Sequence, residues 1–380
     1  METGPIWRAM LRNKTSYLLI AIQIAVTMAI MVNAISIIQE RSRMMARPSG
    51  VDEDNIFYLS NVSFEENFDS KSAAEEDLRM LRSLPGVVDA VMTNSVPLQG
   101  GGWSMGLRRE PGDDDEDTGV ALYFVDAHGI NTFGVNLVQG RNFNPSEIMW
   151  FDAEAGGPRW GNTTIITQAM AAELFPESPD DVVGKTVYIE NDIPLTIVGI
   201  IERMQAPWKS WTGVERVMLA PMMRKSSNYR YVIRTEPGYR DELMPQVEKL
   251  LAESNTGRII RSVTTMTETR QRSYLEDSAM IKLLVFIVSV LTAITGLGIV
   301  GLASFSVARR SKQIGIRRAL GATRPAILRY FMLENFVISS VGVISGAILA
   351  VGLNIFMVRS FNLTPIAWYV IPSAMIVLWL

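Results

Sequence analysis

The sequence predicts an α-helical membrane protein with four transmembrane helices, the fourth incomplete, and a large α+β extracytoplasmic domain inserted between the first two. Apolar residues make up 48% of the 380 residues and cluster in long runs. After the first run, more than two hundred residues contain no segment that is long and apolar enough to span a bilayer. The charge is also divided, because residues 40–275 hold 24 Lys and Arg against 35 Asp and Glu, whereas the rest of the chain holds 12 against 4.

The first apolar run covers residues 17–38 and contains no charge. A helix of this length crosses a hydrocarbon core of roughly 30 Å. A cleaved signal peptide is the alternative, but its apolar core is only about 7 to 15 residues long, so we favour a retained anchor. Residues 1–16 place Trp7 among basic residues and predict an amphipathic segment on the membrane surface. Gln23 and Asn33 inside the run predict hydrogen bonds between helices, with a polar translocation path as the less common alternative.

Residues 39–278 form the predicted α+β domain with its stalk. Short β-branched runs between Gly, Pro, Asn and Asp clusters predict strands at residues 87–91, 163–166, 186–189 and 195–201. Periodic apolar positions predict helices over residues 72–83 and 239–253. The polar residues 270–277 predict a helical stalk that continues into the second span.

The remaining predicted spans are residues 279–307, 331–358 and 366–380. The last is shorter than the roughly 20 residues that an upright spanning helix needs, so we expect the sequence to stop inside a fourth span, after an outer loop at residues 359–365. Glycines within these runs predict close helix packing, namely Gly296, Gly298, Gly301, Gly342 and Gly346. The first three also match G-x-G-x-x-G, but they lie inside an apolar run instead of opening a helix after a strand.

The residue types argue against several kinds of site. The chain has no cysteine and a single histidine, His128, which leaves little for a thiolate metal site or a histidine-based triad. We therefore predict no metal site, no catalytic residue and no enzyme activity in this chain. Residues 183–186 end like a phosphate-binding loop, but Pro179 stands where its first glycine belongs. Trp208 and Trp211 predict either an exposed recognition loop or core packing.

Basic residues concentrate in an elbow at residues 308–330, between the second and third spans. Seven of the twelve basic residues outside the large domain lie there: Arg309, Arg310, Lys312, Arg317, Arg318, Arg324 and Arg329. Because positive residues stay in the cytoplasm, we predict a cytoplasmic amino terminus and elbow and an outward-facing acidic domain. Topogenic charge near anionic lipid explains the elbow without any partner. Alternatively, this segment is a helix that Gly321 ends, with a basic face beside an apolar stripe of Ile314, Ile316, Ala319 and Leu320. Such a helix suits docking in a groove of another subunit.

The string QIGIRRALGAT in this elbow closely resembles the E-I-G-[IL]-R-[RK]-A-[IL]-G-A signature of the FtsX/MacB-like permeases of ABC transporters. The resemblance extends over the whole chain, with supporting similarity at residues 125–143, 165–186 and 195–201. It implies coupling to an ATPase subunit through Gln313, Ile314, Gly315, Ile316, Arg317, Arg318, Ala319, Leu320, Gly321 and Ala322. Gln313 replaces the family's usual glutamate, which suggests a pseudo-symmetric partner permease.

The resemblance implies a permease of the cell inner membrane with a two-lobed periplasmic domain, working as a homodimer or heterodimer with two ATPase subunits. Only about sixteen residues precede the first span and we find no Walker motif, so we expect ATP and Mg²⁺ to bind a separate protein and no cofactor to bind this chain. The expected function is export of peptides, antibiotics or other amphiphiles. Lipoprotein extraction or control of cell-wall hydrolases is the alternative. A periplasmic adaptor and membrane lipid are further expected partners, whereas nucleic acid is not.

Overall fold

The computed structural model describes residues 14–64, 69–112, 117–152, 160–361 and 365–379. Most of the predicted amphipathic segment therefore lies outside the described residues. The chain divides into two compact units, of which one is Arg47–Leu275 and the other combines the segments on either side of it.

The helices and strands, in chain order, are α1 (Lys14–Ala46), β1 (Ile56–Ser63), α2 (Ser70–Ser83), β2 (Val87–Thr93), β3 (Trp103–Arg108), β4 (Thr118–Phe124), α3 (Gly129–Phe133), β5 (Leu137–Gly140), β6 (Met149–Asp152), β7 (Thr163–Thr167), α4 (Gln168–Leu174), β8 (Thr186–Ile189), β9 (Ile193–Ile201), β10 (Val217–Ala220), β11 (Met222–Lys225), β12 (Asn228–Thr235), α5 (Arg240–Ser254), β13 (Arg258–Thr265), α6 (Met266–Ser273), α7 (Leu275–Arg309), α8 (Ser311–Ala319), α9 (Arg324–Phe361) and α10 (Val370–Trp379).

Three of these helices, α1, α7 and α9, are long and apolar enough to cross a membrane within the described part of the chain. This confirms three apolar helices at the positions of predicted spans, and the mixture of strands and helices between α1 and α7 confirms the α+β domain. Helix α10 has only 10 residues, so a fourth span stays a prediction. Both α7 and α9 extend beyond the predicted spans toward the elbow, because helical hydrogen bonding does not stop where the apolar run stops.

Polar side chains inside the apolar helices form the predicted hydrogen bonds between helices. Gln23 on α1 donates to the carbonyl of Ile294 on α7 over 3.3 Å. Asn33 on α1 donates to the carbonyl of Ala350 on α9 over 3.3 Å. A low-polarity surrounding favours such pairing, since an amide that faced hydrocarbon would lose its hydrogen bonds to water.

Two of the five predicted packing glycines bring α9 against α1. A Cβ atom at Gly342 would lie 2.9 Å from the carbonyl oxygen of Ala21, and one at Gly346 would lie 2.5 Å from Cβ of Met28. Gly298 faces the side chain of Gln23. At Gly296 and Gly301, no described atom outside their own stretch of helix lies within 4 Å of the Cβ position, so close packing at these two stays a prediction.

Substituting Gly346 by valine is expected to destabilise the membrane unit. The new side chain would overlap α1, and overpacking of this kind typically costs about 1–3 kcal/mol. The matched control is Gly352→Val on the same helix, where nothing described lies within 4 Å of the Cβ position. We expect the protein in detergent to lose monodispersity at a lower temperature in the first variant only. Equal thermal profiles for the two variants would contradict the packing role of Gly346.

The first β-structure of the large domain is a four-stranded antiparallel sheet in the order β13-β1-β12-β2. In chain order its elements run β1-α2-β2 and then β12-α5-β13, which is the ferredoxin-like arrangement. Helices α2 and α5 bury their apolar stripes against one face of the sheet. This face is apolar through Phe57, Leu59, Ala90, Met92, Tyr231 and Ile233.

The second β-structure is inserted between β2 and β12 and closes into a ring. Its strands follow the order β9-β7-β10-β4-β3-β8, and β8 pairs back to β9 while β5 adds to β9 outside the ring. Strand β4 is buried on both sides, because Val120, Leu122 and Phe124 enter one apolar cluster whereas Ala121 and Tyr123 enter another. An uninterrupted apolar strand is the expected sequence pattern for such burial.

The stalk differs from the predicted continuous helix. Helix α6 begins with a capping box between Thr265 and Glu268 and ends at Ser273. Tyr274 then adopts non-helical torsion angles, with φ −99° and ψ 11°, before α7 begins at Leu275. The side chain of Tyr274 is 3% exposed, so its burial competes with continuation of the helix.

For the two tryptophans of residues 208–211, the structure favours core packing over an exposed recognition loop. Trp208 and Trp211 are half-buried against the apolar cluster of the ring, and their rings meet edge to face with centroids 6.1 Å apart. Between them, Lys209 donates to the carbonyl of Ser273 and lies over the ring of Tyr274. The loop therefore holds the carboxyl end of α6.

Candidate functional site

The elbow is built around α8, a short helix between two long apolar ones. Arg310, with φ −105° and ψ 15°, separates α7 from α8. The helix ends in the predicted way, since Gly321 has φ +95°, which residues with a side chain rarely adopt. This turn lets the amide of Ala322 donate to the carbonyl of Arg317 over 2.9 Å. Arg317 and Arg318 lie in the last turn of α8, where positive charge is favourable beside the helix dipole.

The outer surface of α8 combines apolar and basic side chains. Ile316 is 62% exposed and Leu320 is 83% exposed, while Arg317 and Arg318 are also exposed. A single exposed leucine needs no explanation, but two apolar side chains one turn apart beside two guanidinium groups form a surface that another protein can cover.

The other residues that the resemblance points to lie along the same segment. Gly315, Ala319 and Gly321 are exposed, whereas Ile314 and Ala322 are half-buried. Gln313 lies within α8, but its side chain is outside the described part of the structure. The predicted residues whose side chains are described thus lie along one segment, and most of them are exposed.

A cation–π contact fixes the end of α8. The guanidinium of Arg317 lies over the ring of Tyr330, with 5.0 Å between its central carbon and the ring centroid. Tyr330 is buried on α9. Such contacts contribute roughly 0.5–1 kcal/mol where they are exposed to solvent, which suits a helix that must keep a defined orientation.

A buried polar cluster fixes the start of α8. The two guanidinium nitrogens of Arg310 lie 3.0 and 3.1 Å from the carboxylate oxygens of Glu334 on α9. Tyr17 on α1 donates to the same carboxylate over 2.5 Å. Glu334 is 2% exposed and Tyr17 is 7% exposed. Because Arg310 is the residue that separates α7 from α8, this cluster joins the helix break to two apolar helices.

Sequence reasoning did not predict this cluster. One signal was available, because Glu334 is the only acidic residue after Asp277, and an isolated carboxylate in an apolar span is usually paired and functional. Its partners lie 24 and 317 residues away along the chain, so no local pattern identifies them. Across the described residues, no group of three or more acidic or histidine side chains is placed to hold a metal ion.

Two family models match the chain and together cover most of it. The MacB-like periplasmic core domain matches residues 17–270, and the FtsX-like permease C-terminal domain matches residues 285–380. The boundary between the matches falls near the start of α7, so the elbow belongs to the second.

Curated relatives agree with these matches at low identity. The chain is 24% identical over 278 residues to the uncharacterized ABC transporter permease YknZ of Bacillus subtilis, covering 72% of this chain and 64% of that protein. It is 25% identical to the pyoverdine export ATP-binding/permease protein PvdT of Pseudomonas syringae, covering 93% of this chain and 52% of that protein. It is 26% identical to the macrolide export ATP-binding/permease protein MacB of an Azoarcus species, covering 78% of this chain and 42% of that protein.

The chain thus spans between about two fifths and two thirds of the length of these relatives. The core-domain model alone matches well over half of the chain. The chain therefore belongs to the family of ABC transporter permeases that join a MacB-like periplasmic core domain to an FtsX-like permease domain.

Proposed function

We propose that this chain is a permease subunit that couples ATP hydrolysis by a separate ATPase subunit to movement of its large external domain. The observation that carries this proposal is α8, which presents Ile316 and Leu320 beside Arg317 and Arg318 between two membrane-spanning helices. A short amphipathic helix of this kind docks in a groove of another protein, and the arginines favour an acidic rim around that groove. ATP and Mg²⁺ bind the partner, not this chain.

The polar cluster at Arg310 explains how docking moves the membrane helices. A displacement of α8 acts directly on Arg310 and, through Glu334 and Tyr17, on α9 and α1. The α7 helix leads from the same residue toward the external domain. Rigid helices joined at a defined junction can change position as units, which is the kind of element that mechanical coupling requires.

Export is the transport activity that we propose, with a peptide, an antibiotic or another amphiphile as substrate. Its support is the similarity to relatives named for pyoverdine and macrolide export. The charge division supports a cytoplasmic amino terminus and elbow, with the large domain on the periplasmic side of the inner membrane. A periplasmic adaptor would then engage the external domain.

We also propose that a second copy or a related permease covers α7. The outward-facing side chains of this helix are large and apolar, including Phe286, Leu297 and Val300, which are 63–73% exposed in the single chain. Gly296 and Gly301 leave open notches on the same helix. Small residues beside large ones allow close approach between transmembrane helices.

Reversing the charge of the elbow tests ATPase docking. The permease is purified from membranes of its native cells, with Arg317→Glu plus Arg318→Glu compared with the unchanged protein. We expect an ATPase to co-purify with the unchanged protein and to be lost, by tenfold or more, from the variant. Leu320→Asp is expected to act in the same direction, because it places a charge in the apolar stripe.

The matched control is Arg324→Glu plus Arg329→Glu, which changes the net charge of the elbow equally but lies on α9 outside α8. If the control removes the ATPase as completely as the α8 variant, the elbow acts through topology or lipid and not through docking. Absence of any ATPase from the unchanged protein, under conditions that retain other partners, would contradict the proposal itself.

A further inference from the structure

A small cleft in the large domain, separate from the elbow, carries two arginine side chains that have no acidic partner among the described residues. It lies where strands β2 and β12 of the ferredoxin-like sheet approach the ring, and its volume is about 150 Å³. Its wall includes Trp103 and Phe124 from the ring, Met222 and Arg224 from β11, and Arg230 from β12. No acidic residue is among the described residues that line it.

Arg224 and Arg230 present cationic groups to this cleft. The guanidinium of Arg224 lies over the ring of Trp103, 5.8 Å from its centroid. Arg230 donates to the carbonyl of Asn94 over 2.9 Å and lies over the ring of Tyr58. The buried Nε atom of each arginine has no acceptor among the described protein atoms. Burial lowers the pKa of Arg230, consistent with a guanidinium that lacks a neutralising carboxylate.

Other arginines of this domain do have such carboxylates. Arg234 pairs with Asp52 over 2.9 Å, and Arg270 pairs with Glu53 over 2.7 Å. The pairing is expected, because residues 40–275 carry an excess of acidic side chains. Among the described residues, Arg224 and Arg230 have no such carboxylate, although a buried charged group is normally paired.

The chemistry of the wall specifies the ligand. Two guanidinium groups favour an anion, and a guanidinium fork matches the two oxygens of a carboxylate. The rings of Trp103 and Phe124 meet edge to face 5.2 Å apart and, with Met222, supply an apolar wall. A cavity of this volume accommodates a group about the size of benzene.

We propose that this cleft binds a carboxylate attached to a small apolar group. The carboxylate contacts Arg224 and Arg230, and the apolar group packs against Trp103 and Phe124. Both a free organic acid and the carboxyl terminus of a peptide with an apolar last residue have this chemistry. The proposal does not depend on ATPase docking at the elbow, so either can fail without the other.

Fluorine NMR of the full chain in a neutral detergent tests the site, with 4-fluorobenzoate as the probe. We expect line broadening of the probe that unlabelled benzoate reverses. The uncharged 4-fluorobenzamide is the control for non-specific partition into detergent micelles. We expect it to bind at least tenfold more weakly than 4-fluorobenzoate. Inorganic phosphate, which has charge but no apolar group, is expected to compete poorly. Equal binding of the amide, or stronger competition by phosphate than by benzoate, would overturn the proposal.

Substitutions then assign the binding to the cleft. We expect Arg224→Gln and Arg230→Gln each to weaken 4-fluorobenzoate binding about tenfold or more, because each removes a charge-assisted hydrogen bond. The matched control Arg261→Gln, at an exposed position on β13, is expected to bind normally. Since Arg230 also holds Asn94, the Arg224 variant remains decisive if the Arg230 variant misfolds. Unchanged binding by a folded Arg224→Gln protein would exclude this site.

Competition by Gly-Gly-Phe and by its carboxyl-terminal amide separates the two sources of the carboxylate. Displacement of the probe by the free acid but not by the amide indicates that the cleft admits a peptide terminus. If neither peptide displaces a probe that is sensitive to Arg224, the ligand is a free organic acid. Both results support the site.

Discussion

Glu334→Ala is expected to release the elbow from the membrane helices and to destabilise them by about 3–5 kcal/mol. The substitution removes the carboxylate that pairs with the guanidinium of Arg310 and that accepts a hydrogen bond from Tyr17. Removing one partner of a buried ion pair is costly, because the remaining charge cannot recover its hydration. The loss should appear as a lower midpoint of thermal unfolding in detergent.

A spin label at position 320 measures the release directly. The natural sequence has no cysteine, so Leu320→Cys provides a single attachment site at an exposed position of the elbow. We expect the label to become more mobile when Glu334→Ala or Arg310→Ala is added, and to be unaffected by Arg318→Ala on the exposed surface of α8. Unchanged mobility in both of the first two variants would contradict the anchoring role of the cluster.

A double substitution separates lost charge pairing from lost packing. Arg310→Met combined with Glu334→Leu removes both charges and fills similar volume, so we expect it to recover thermal stability relative to Glu334→Ala. If the double variant is as unstable as the single one, an unpaired charge is not the cause of the loss. The spin label in this background then shows whether apolar contact alone keeps the elbow in place.

Asp77→Ala is expected to cause a similarly large loss in the external domain, again about 3–5 kcal/mol. Asp77 on α2 is 3% exposed and accepts hydrogen bonds from Arg258 on β13 and from Tyr231 on β12. Arg258 in turn donates to the carbonyl of Leu251 on α5 over 2.7 Å. One carboxylate thus connects both helices of the ferredoxin-like arrangement to the sheet on which they pack.

The matched control for Asp77 lies on the same helix. Glu76 pairs with Arg79, but both side chains are more than half exposed, so Glu76→Ala is expected to change stability by no more than about 0.5 kcal/mol. Urea unfolding of the full chain in detergent, followed by near-ultraviolet circular dichroism, compares the two variants. A loss of less than about 1 kcal/mol for Asp77→Ala would show that the buried pair is not a main support of this sheet.

Local sequence patterns predicted those helices and strands whose own residues favour that conformation. The β-branched run of β7 and the regular apolar spacing of α5 identify those elements from the sequence alone. Strand β3 was not predicted, because its sequence WSMGLR lies in a glycine-rich stretch and owes its extended form to pairing with β4 and β8. Its conformation is determined by neighbours that a local pattern does not show.

The candidate site also has one part that the sequence predicted and one part that it did not. Position and composition predicted the elbow helix, since charge and glycine act locally on helix ends. The cluster of Arg310, Glu334 and Tyr17 was not predictable, because it forms only when three helices pack. In the four-stranded sheet, Ile56 on β1 pairs with Arg234 on β12, and a local sequence pattern cannot predict a pairing between residues so far apart in the chain.

Closure of the six-stranded ring also affects how the external domain avoids aggregation. A closed ring has no unpaired strand edge, apart from the four residues of β5 that extend it. Among the described strands, the open edges are therefore those of β5, of the short β6–β11 pair and of the four-stranded sheet. Its outer strand β13 is protected there by the exposed charge of Arg261 and by the bulge at Ser262, where φ is +42°. The inserted ring thus enlarges the external surface with little added risk of intermolecular β-sheet formation.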